Sequence, residues 1–123
     1  MSKKLAKAFN CPTEFTLAVL GGKWKTVILC YLKLRPFRYS ELRVLHPNLS
    51  DKMLTERLQD LIDIGLVTRK KAVGGKNIAT YSLTERGRSL GSILQDLYGW
   101  GEAQAAAFGV KIDFPLARLK AKS

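Results

Sequence analysis

The stretch from Ser50 to Lys71 restricts what this chain can fold into more than any other. Leu54, Leu58, Leu61 and Ile62 recur at helical spacing and form one apolar stripe. Lys52, Thr55, Glu56 and Gln59 repeat at the same spacing on the other side, with no apolar residue among them. Ser50 is suited to cap the helix at its start. Gly65 is placed to end it, with Leu66 supplying the apolar contact of a Schellman end. Leu66 to Lys71 then has the composition of a basic strand. The helix therefore offers one face to a core and keeps a polar, hydrogen-bonding face. That second face fits either a solvated surface or the edges of bases in a major groove, and its period alone does not choose between them.

Charge bears on the choice. The chain has 21 Lys and Arg against 10 Asp and Glu, a formal net charge of +11. Such an excess favours polyanionic partners, nucleic acid first and anionic membrane second, although it also serves solubility. Residues 1–49 hold nine of the basic and two of the acidic residues, so much of the excess precedes the Ser50 helix. With 123 residues and 46% hydrophobic content, one domain with a modest core is expected and disorder is not. No apolar run reaches the ~18 residues of a membrane span. The first residues, Met1 to Lys7, are too polar to lead into a signal sequence, so a cytoplasmic protein that does not enter membranes is expected. Cys11 and Cys30 lack CxxC spacing and make neither a metal knuckle nor a disulfide framework.

Around the Ser50 helix the remaining elements fall into order. Thr13 is expected to cap a first helix that holds Phe15, Leu17 and Leu20 and stops at Gly21–Gly22. Trp24 to Leu34 reads as a buried helix ended before Pro36. Phe37 to Tyr39 suits a brief strand, and Ser40 a cap for a short helix through Leu45. Gly74–Gly75–Lys76–Asn77 suits a hairpin tip before a second strand, Ile78 to Leu83. Thr84–Glu85 would then cap one long helix with an apolar face of Leu90, Ile93, Leu94, Leu97 and Trp100, running towards Phe108. The expected fold is mainly α with a small β-hairpin: a winged helix-turn-helix. Its domain would span residues 11–108 and include a C-terminal dimerisation helix. A basic arm (1–10) and a basic tail (109–123) flank it, and the tail is assigned no structure.

Several ordered motifs resemble the HxlR family: Cys11–Pro12, Gly21 to Trp24, Phe37 to Arg43, Ser50 to Thr55, Gly65 to Val67 and Tyr81 to Gly87. The resemblance covers roughly residues 11–101. It implies a bacterial or archaeal transcription regulator that dimerises through its N- and C-terminal helices and binds double-stranded operator DNA. One departure stands out. Gly74–Gly75 replace prolines that family members often carry in the wing, and Ile78 sits near where a basic residue is common.

On this reading Ser50, Lys52, Met53, Thr55, Glu56 and Gln59 are the candidates to face the groove. Lys52 suits guanine or a phosphate, Gln59 adenine, and Glu56 the amino group of cytosine. Arg38 and Arg43, which flank the first helix of the pair, and Lys76 in the wing are candidates for backbone contact, and Ser40 is a further DNA-binding candidate. Arg57 flanks the reading face, and Asp51 suits a capping role. Arg69, Lys70 and Lys71 fit either phosphate contact or a solvated charge run. Cys11 has two readings: a packing cysteine, or a sensor of oxidants or electrophiles, the role the matching cysteine has in some HxlR-like regulators. Cys30 reads as core. Phe15, Leu94, Leu97 and Trp100 are candidates for a dimer seam, although an intrachain core would also explain Trp100. No cofactor, metal site or catalytic constellation is expected, and His46 is the lone histidine. The partners expected are double-stranded DNA, a second copy, and a small-molecule or oxidant effector. The rival readings are an architectural nucleic-acid binder without sequence preference and a winged-helix protein-interaction module.

Overall fold

The computed structural model describes residues 5–71 and 78–114. Two helices, α1 (Pro12–Leu20) and α2 (Lys25–Leu32), lead into the two-residue strand β1 (Phe37–Arg38). Then come α3 (Tyr39–Leu45), α4 (Asp51–Asp63), β2 (Val67–Lys71), β3 (Ala79–Leu83), α5 (Glu85–Arg88) and α6 (Gly91–Gln104). The strands form one antiparallel sheet in the order β1-β3-β2. Phe37 pairs with Tyr81 and Arg38 with Thr80 on one side of β3, and Val67 pairs with Leu83 on the other. This is the expected winged helix-turn-helix, with α3 and α4 as the helix pair and β2–β3 as the stem of the wing.

Helix α2 lies at the centre. Its Ile28, Leu29, Tyr31 and Leu32 are buried with Leu54, Leu58 and Leu61 of α4, and Phe37, Leu42, Leu66, Val67, Leu83 and Leu94 close the same core. Both predicted ends of α4 are present. The Met53 N–H donates to Ser50 Oγ at 3.1 Å. At the other end Gly65 has φ +80°, the Leu66 N–H donates to the Leu61 carbonyl at 2.9 Å, and the Gly65 N–H to that of Ile62 at 3.0 Å. Those are the two bonds of a Schellman motif, and the positive φ favours glycine.

Other boundaries differ from expectation. Cys11, not Thr13, caps α1, because Pro12 takes the first helical position, where its fixed φ and missing N–H cost nothing. Trp24 stands outside α2 in the left-handed region at φ +81°. Arg38 caps α3, with its N–H donating to the Glu41 carboxylate at 2.8 Å, so Ser40 lies inside the first turn. The long C-terminal helix is broken. Thr84 caps α5 as predicted, accepting from the Gly87 N–H at 3.0 Å. The same hydroxyl donates to the Gly65 carbonyl at 2.6 Å. A Cβ on Gly87 would lie 2.2 Å from the Leu66 carbonyl oxygen, so α5 is held tightly against the start of the wing. The ladder then narrows to the Leu90 N–H donating to Gly87 O at 3.1 Å, and α6 starts afresh at Gly91.

Helix α6 ends at Gln104, short of Phe108. The chain turns at Gly109 (φ +68°), and Phe114 comes back to stack on Tyr31 with ring centroids 5.0 Å apart. The start of the segment assigned no structure thus packs on the domain. The hairpin tip and Lys76 lie outside the described residues.

Candidate nucleic-acid interface

Helix α4 presents its two faces as its residues dictate. Leu54, Leu58 and Leu61 are at most 2% exposed, while Lys52, Thr55 and Gln59 are exposed and Glu56 is half-buried. Leu burial fixes the rotation of the helix, so the polar stripe must point outward. The exposed Arg38 and Ser40 lie at the start of α3, and the exposed Arg69, Lys70 and Lys71 run along β2. Four of these side chains are cations on the elements that flank α4. Met53 is half-buried against the core, and Gln59 donates to Asp63 Oδ1 at 2.8 Å.

A polar network joins the two helices of the pair. Arg43 Nε donates to Asp51 Oδ1 at 2.7 Å, and its Nη1 donates to the carbonyls of Leu49 and His46 in the intervening turn. The Tyr39 hydroxyl reaches the same Asp51 Oδ1 at 2.9 Å and Thr55 Oγ1 at 3.4 Å. Arg43, expected at a phosphate, is thus occupied in setting the angle between α3 and α4. Asp51 does stand at the start of α4, but it holds the neighbouring helix rather than capping its own. Arg57 pairs with Asp60, the buried carboxylate of the core, at 2.6 Å, and its Nε is buried without a partner. Sequence reasoning singled out neither Tyr39 nor Asp60. Tyr39 and Arg43 are one helical turn apart, which puts their tips on one side of α3, but only the tertiary fold shows what they meet.

Cys11 and Cys30 are both free thiols. Cys11 is exposed at the start of α1, where the amide of Glu14 and then that of Thr13 hold its pKa below the ordinary value. Cys30 is pushed up by burial. It lines a cavity of about 900 Å³ between α2, α6 and the returning chain, with Trp24, His46, Tyr98 and Phe114 among its walls.

Of the seam candidates, Phe15 (47% exposed), Leu97 (48%) and Trp100 (63%) leave apolar surface bare on α1 and α6. Leu94 does not. At 1% exposure it fills the core of its own chain, because it lies on the side of α6 that meets α2. Among the described residues no group of His, Cys, Asp and Glu is arranged to hold a metal ion, and no single helix is long and apolar enough to cross a membrane.

The family model described as HxlR-like helix-turn-helix matches residues 19–108. The chain is 45% identical over 95 residues to the HTH-type transcriptional regulator YkvN of Bacillus subtilis, covering 77% of this chain and 80% of YkvN. Among solved structures it is similar to the redox regulator HypR in its reduced form (TM-score 0.76, 35% identity, 80% of this chain and 98% of that one). It is also similar to the reduced transcriptional regulator YodB of B. subtilis (TM-score 0.67, 32% identity, 76% and 93%).

Proposed function

This chain belongs to the HxlR-like helix-turn-helix family and is a DNA-binding transcriptional regulator, and from that premise we propose that it reads a pseudo-palindromic operator as a homodimer and answers to oxidants or electrophiles through Cys11. The observation that carries the reading is the rotation of α4: a wholly buried leucine face behind an exposed face of Lys52, Thr55 and Gln59. In this reading those residues and Glu56 meet base edges. Ser50 and Met53 set the start of the helix, and Arg38 and Ser40 meet the phosphate backbone together with the wing cations, Lys76 included. The apolar surface of Phe15, Leu97 and Trp100 supports a seam between two copies, which would set half-sites about one helical turn apart, ~34–36 Å. Residues 11–108 are the working unit, with the basic arm and tail as electrostatic additions, and the protein acts in the cytoplasm as a repressor without catalysing a reaction.

Footprinting on genomic fragments selected by the purified protein tests this. A discrete two-fold protected site is expected. Uniform coating of the probe would favour the architectural reading, and the absence of salt-dependent binding would favour a protein-interaction module. Neutralising Arg38 or Lys76 is expected to weaken binding to all sequences alike and to flatten the salt dependence. For the sensor, the exposed position and lowered pKa of Cys11 favour the thiolate, the reactive form. Similarity to YodB also bears on it, since YodB has been solved treated with diamide and with quinone bound. Peroxide or quinone is expected to release the parent protein from its operator and to leave the Cys11→Ser variant bound. Equal release of both would remove Cys11 from the mechanism.

A further inference from the structure

We infer that Tyr39 is a specificity-determining positioning residue: its hydroxyl forces Thr55 on the reading helix to act as a hydrogen-bond acceptor towards DNA. The inference rests on the DNA-binding reading above and concerns one atom of its reading face. Tyr39 opens α3, and its ring packs against the core. Its hydroxyl lies 2.9 Å from Asp51 Oδ1, 3.2 Å from the Asp51 carbonyl and 3.4 Å from Thr55 Oγ1. A phenol carries one proton. Of the three neighbours the carboxylate is the strongest acceptor, and it is also the nearest. It is held in place by the Nε–H of Arg43 at 2.7 Å. The Tyr39 proton therefore goes to Asp51. What remains on the phenol oxygen is lone pairs, so a bond between Tyr39 and Thr55 can form only with Thr55 donating.

At 3.4 Å this is the longest of the three contacts, and Thr55 is its donor in the proposed arrangement. With its single proton turned inward to Tyr39, its lone pairs are what it can offer outward, and the residue is exposed on the face of α4 opposite the leucines. An acceptor in the major groove pairs with the amino groups N4 of cytosine or N6 of adenine, and finds no donor on O6 of guanine or O4 of thymine. Burial, opposed by the Thr55 bond, raises the pKa of Tyr39 above its ordinary value, so the phenol keeps the proton on which this arrangement depends. Arg43 and Asp51 thus do more than brace the helix pair: they orient the phenol that orients the threonine.

Selection of bound duplexes from a randomised pool tests the inference, using the full-length protein, Tyr39→Phe, Thr55→Ala and the double variant. Phenylalanine keeps the ring and its packing and removes only the hydroxyl. The parent protein is expected to enrich one consensus. Thr55→Ala is expected to flatten the preference for cytosine or adenine at one position of each half-site. Tyr39→Phe is expected to flatten that same position by about 2- to 12-fold, the range for one hydrogen bond, by admitting guanine and thymine. Its other positions and its salt slope should match the parent, and the double variant should match Thr55→Ala alone. The inference is overturned if Tyr39→Phe keeps every preference, if it weakens all sequences alike, if it still acts when Thr55 is absent, or if Thr55→Ala flattens no position. A parent protein that enriches no sequence would overturn the operator-reading function itself, and this inference with it.

Discussion

Cys11 and Cys30 are the same side chain in opposite surroundings. Backbone amides at the start of α1 favour the Cys11 thiolate, whereas burial disfavours that of Cys30. Near neutral pH iodoacetamide is therefore expected to modify Cys11 first, with Cys30 reacting only as the fold opens; peptide mapping over a time course reads the order, and equal rates would contradict it. His46 offers a second test. It accepts or donates a hydrogen bond with the Tyr31 hydroxyl, and Trp24 meets its ring edge-on. Burial lowers its pKa below the ordinary 6.5, and Asp113 only partly opposes this. The folded state thus takes up the proton less readily than the unfolded chain. The stability that His46 contributes through this is fully present above about pH 6.5 and is lost as pH falls through the lowered value. Urea unfolding from pH 7.5 down to 5 is expected to show a shallower loss of stability in His46→Gln than in the parent.

Among the elements, those defined by local chemistry were legible in the sequence. Ser50 and Gly65 mark the two ends of α4 because a cap and a Schellman end are each completed within a few residues. Ser50→Ala is expected to cost about 1 kcal/mol in denaturant unfolding. The caps of α1 and α3 are just as local, yet they lie at Cys11 and Arg38 rather than at Thr13 and Ser40; the other departures depend on distant partners. The leucine, isoleucine and tryptophan spacing from Leu90 onward is continuous, so nothing local announces the break between α5 and α6. Just before it Gly87 packs against the Leu66 carbonyl, more than twenty residues away in sequence. Gly87→Ala must push the Leu66 backbone back, and is expected to cost about 1–3 kcal/mol, seen as a lower urea midpoint at unchanged slope. The partner of Arg43 is hidden from the sequence for a similar reason. An exposed-looking arginine beside a reading helix suggests phosphate, and only the folded pair reveals Asp51 across from it. Leu94 shares an apolar stripe with Leu97, and a stripe does not say which of its members faces inward.

At the scale of the whole molecule, bare apolar surface and charge divide between two ends of the chain's work. Phe15 and Trp100 are large, exposed and set on α1 and α6, with Trp100 edge-on to the exposed Phe108 at 6.1 Å. If these rings form the seam between copies, Trp100→Ala is expected to weaken self-association roughly 30-fold, as a hot-spot truncation would. Sedimentation velocity over a dilution series measures it, and an unchanged dissociation constant would place the seam elsewhere. The reading elements are held differently. Everything from α3 through the wing is enclosed between β1 and β3, whose paired residues Arg38 and Thr80 lie about forty residues apart. Closing a loop of that length costs roughly 3 kcal/mol of chain entropy, secured in the sheet by a strand of only two residues. The DNA reader is therefore built like a bracelet with a small clasp. In native-state hydrogen exchange the amides of the Phe37–Arg38 pairing should open at lower free energy than those of α4, whose leucines are held in the core.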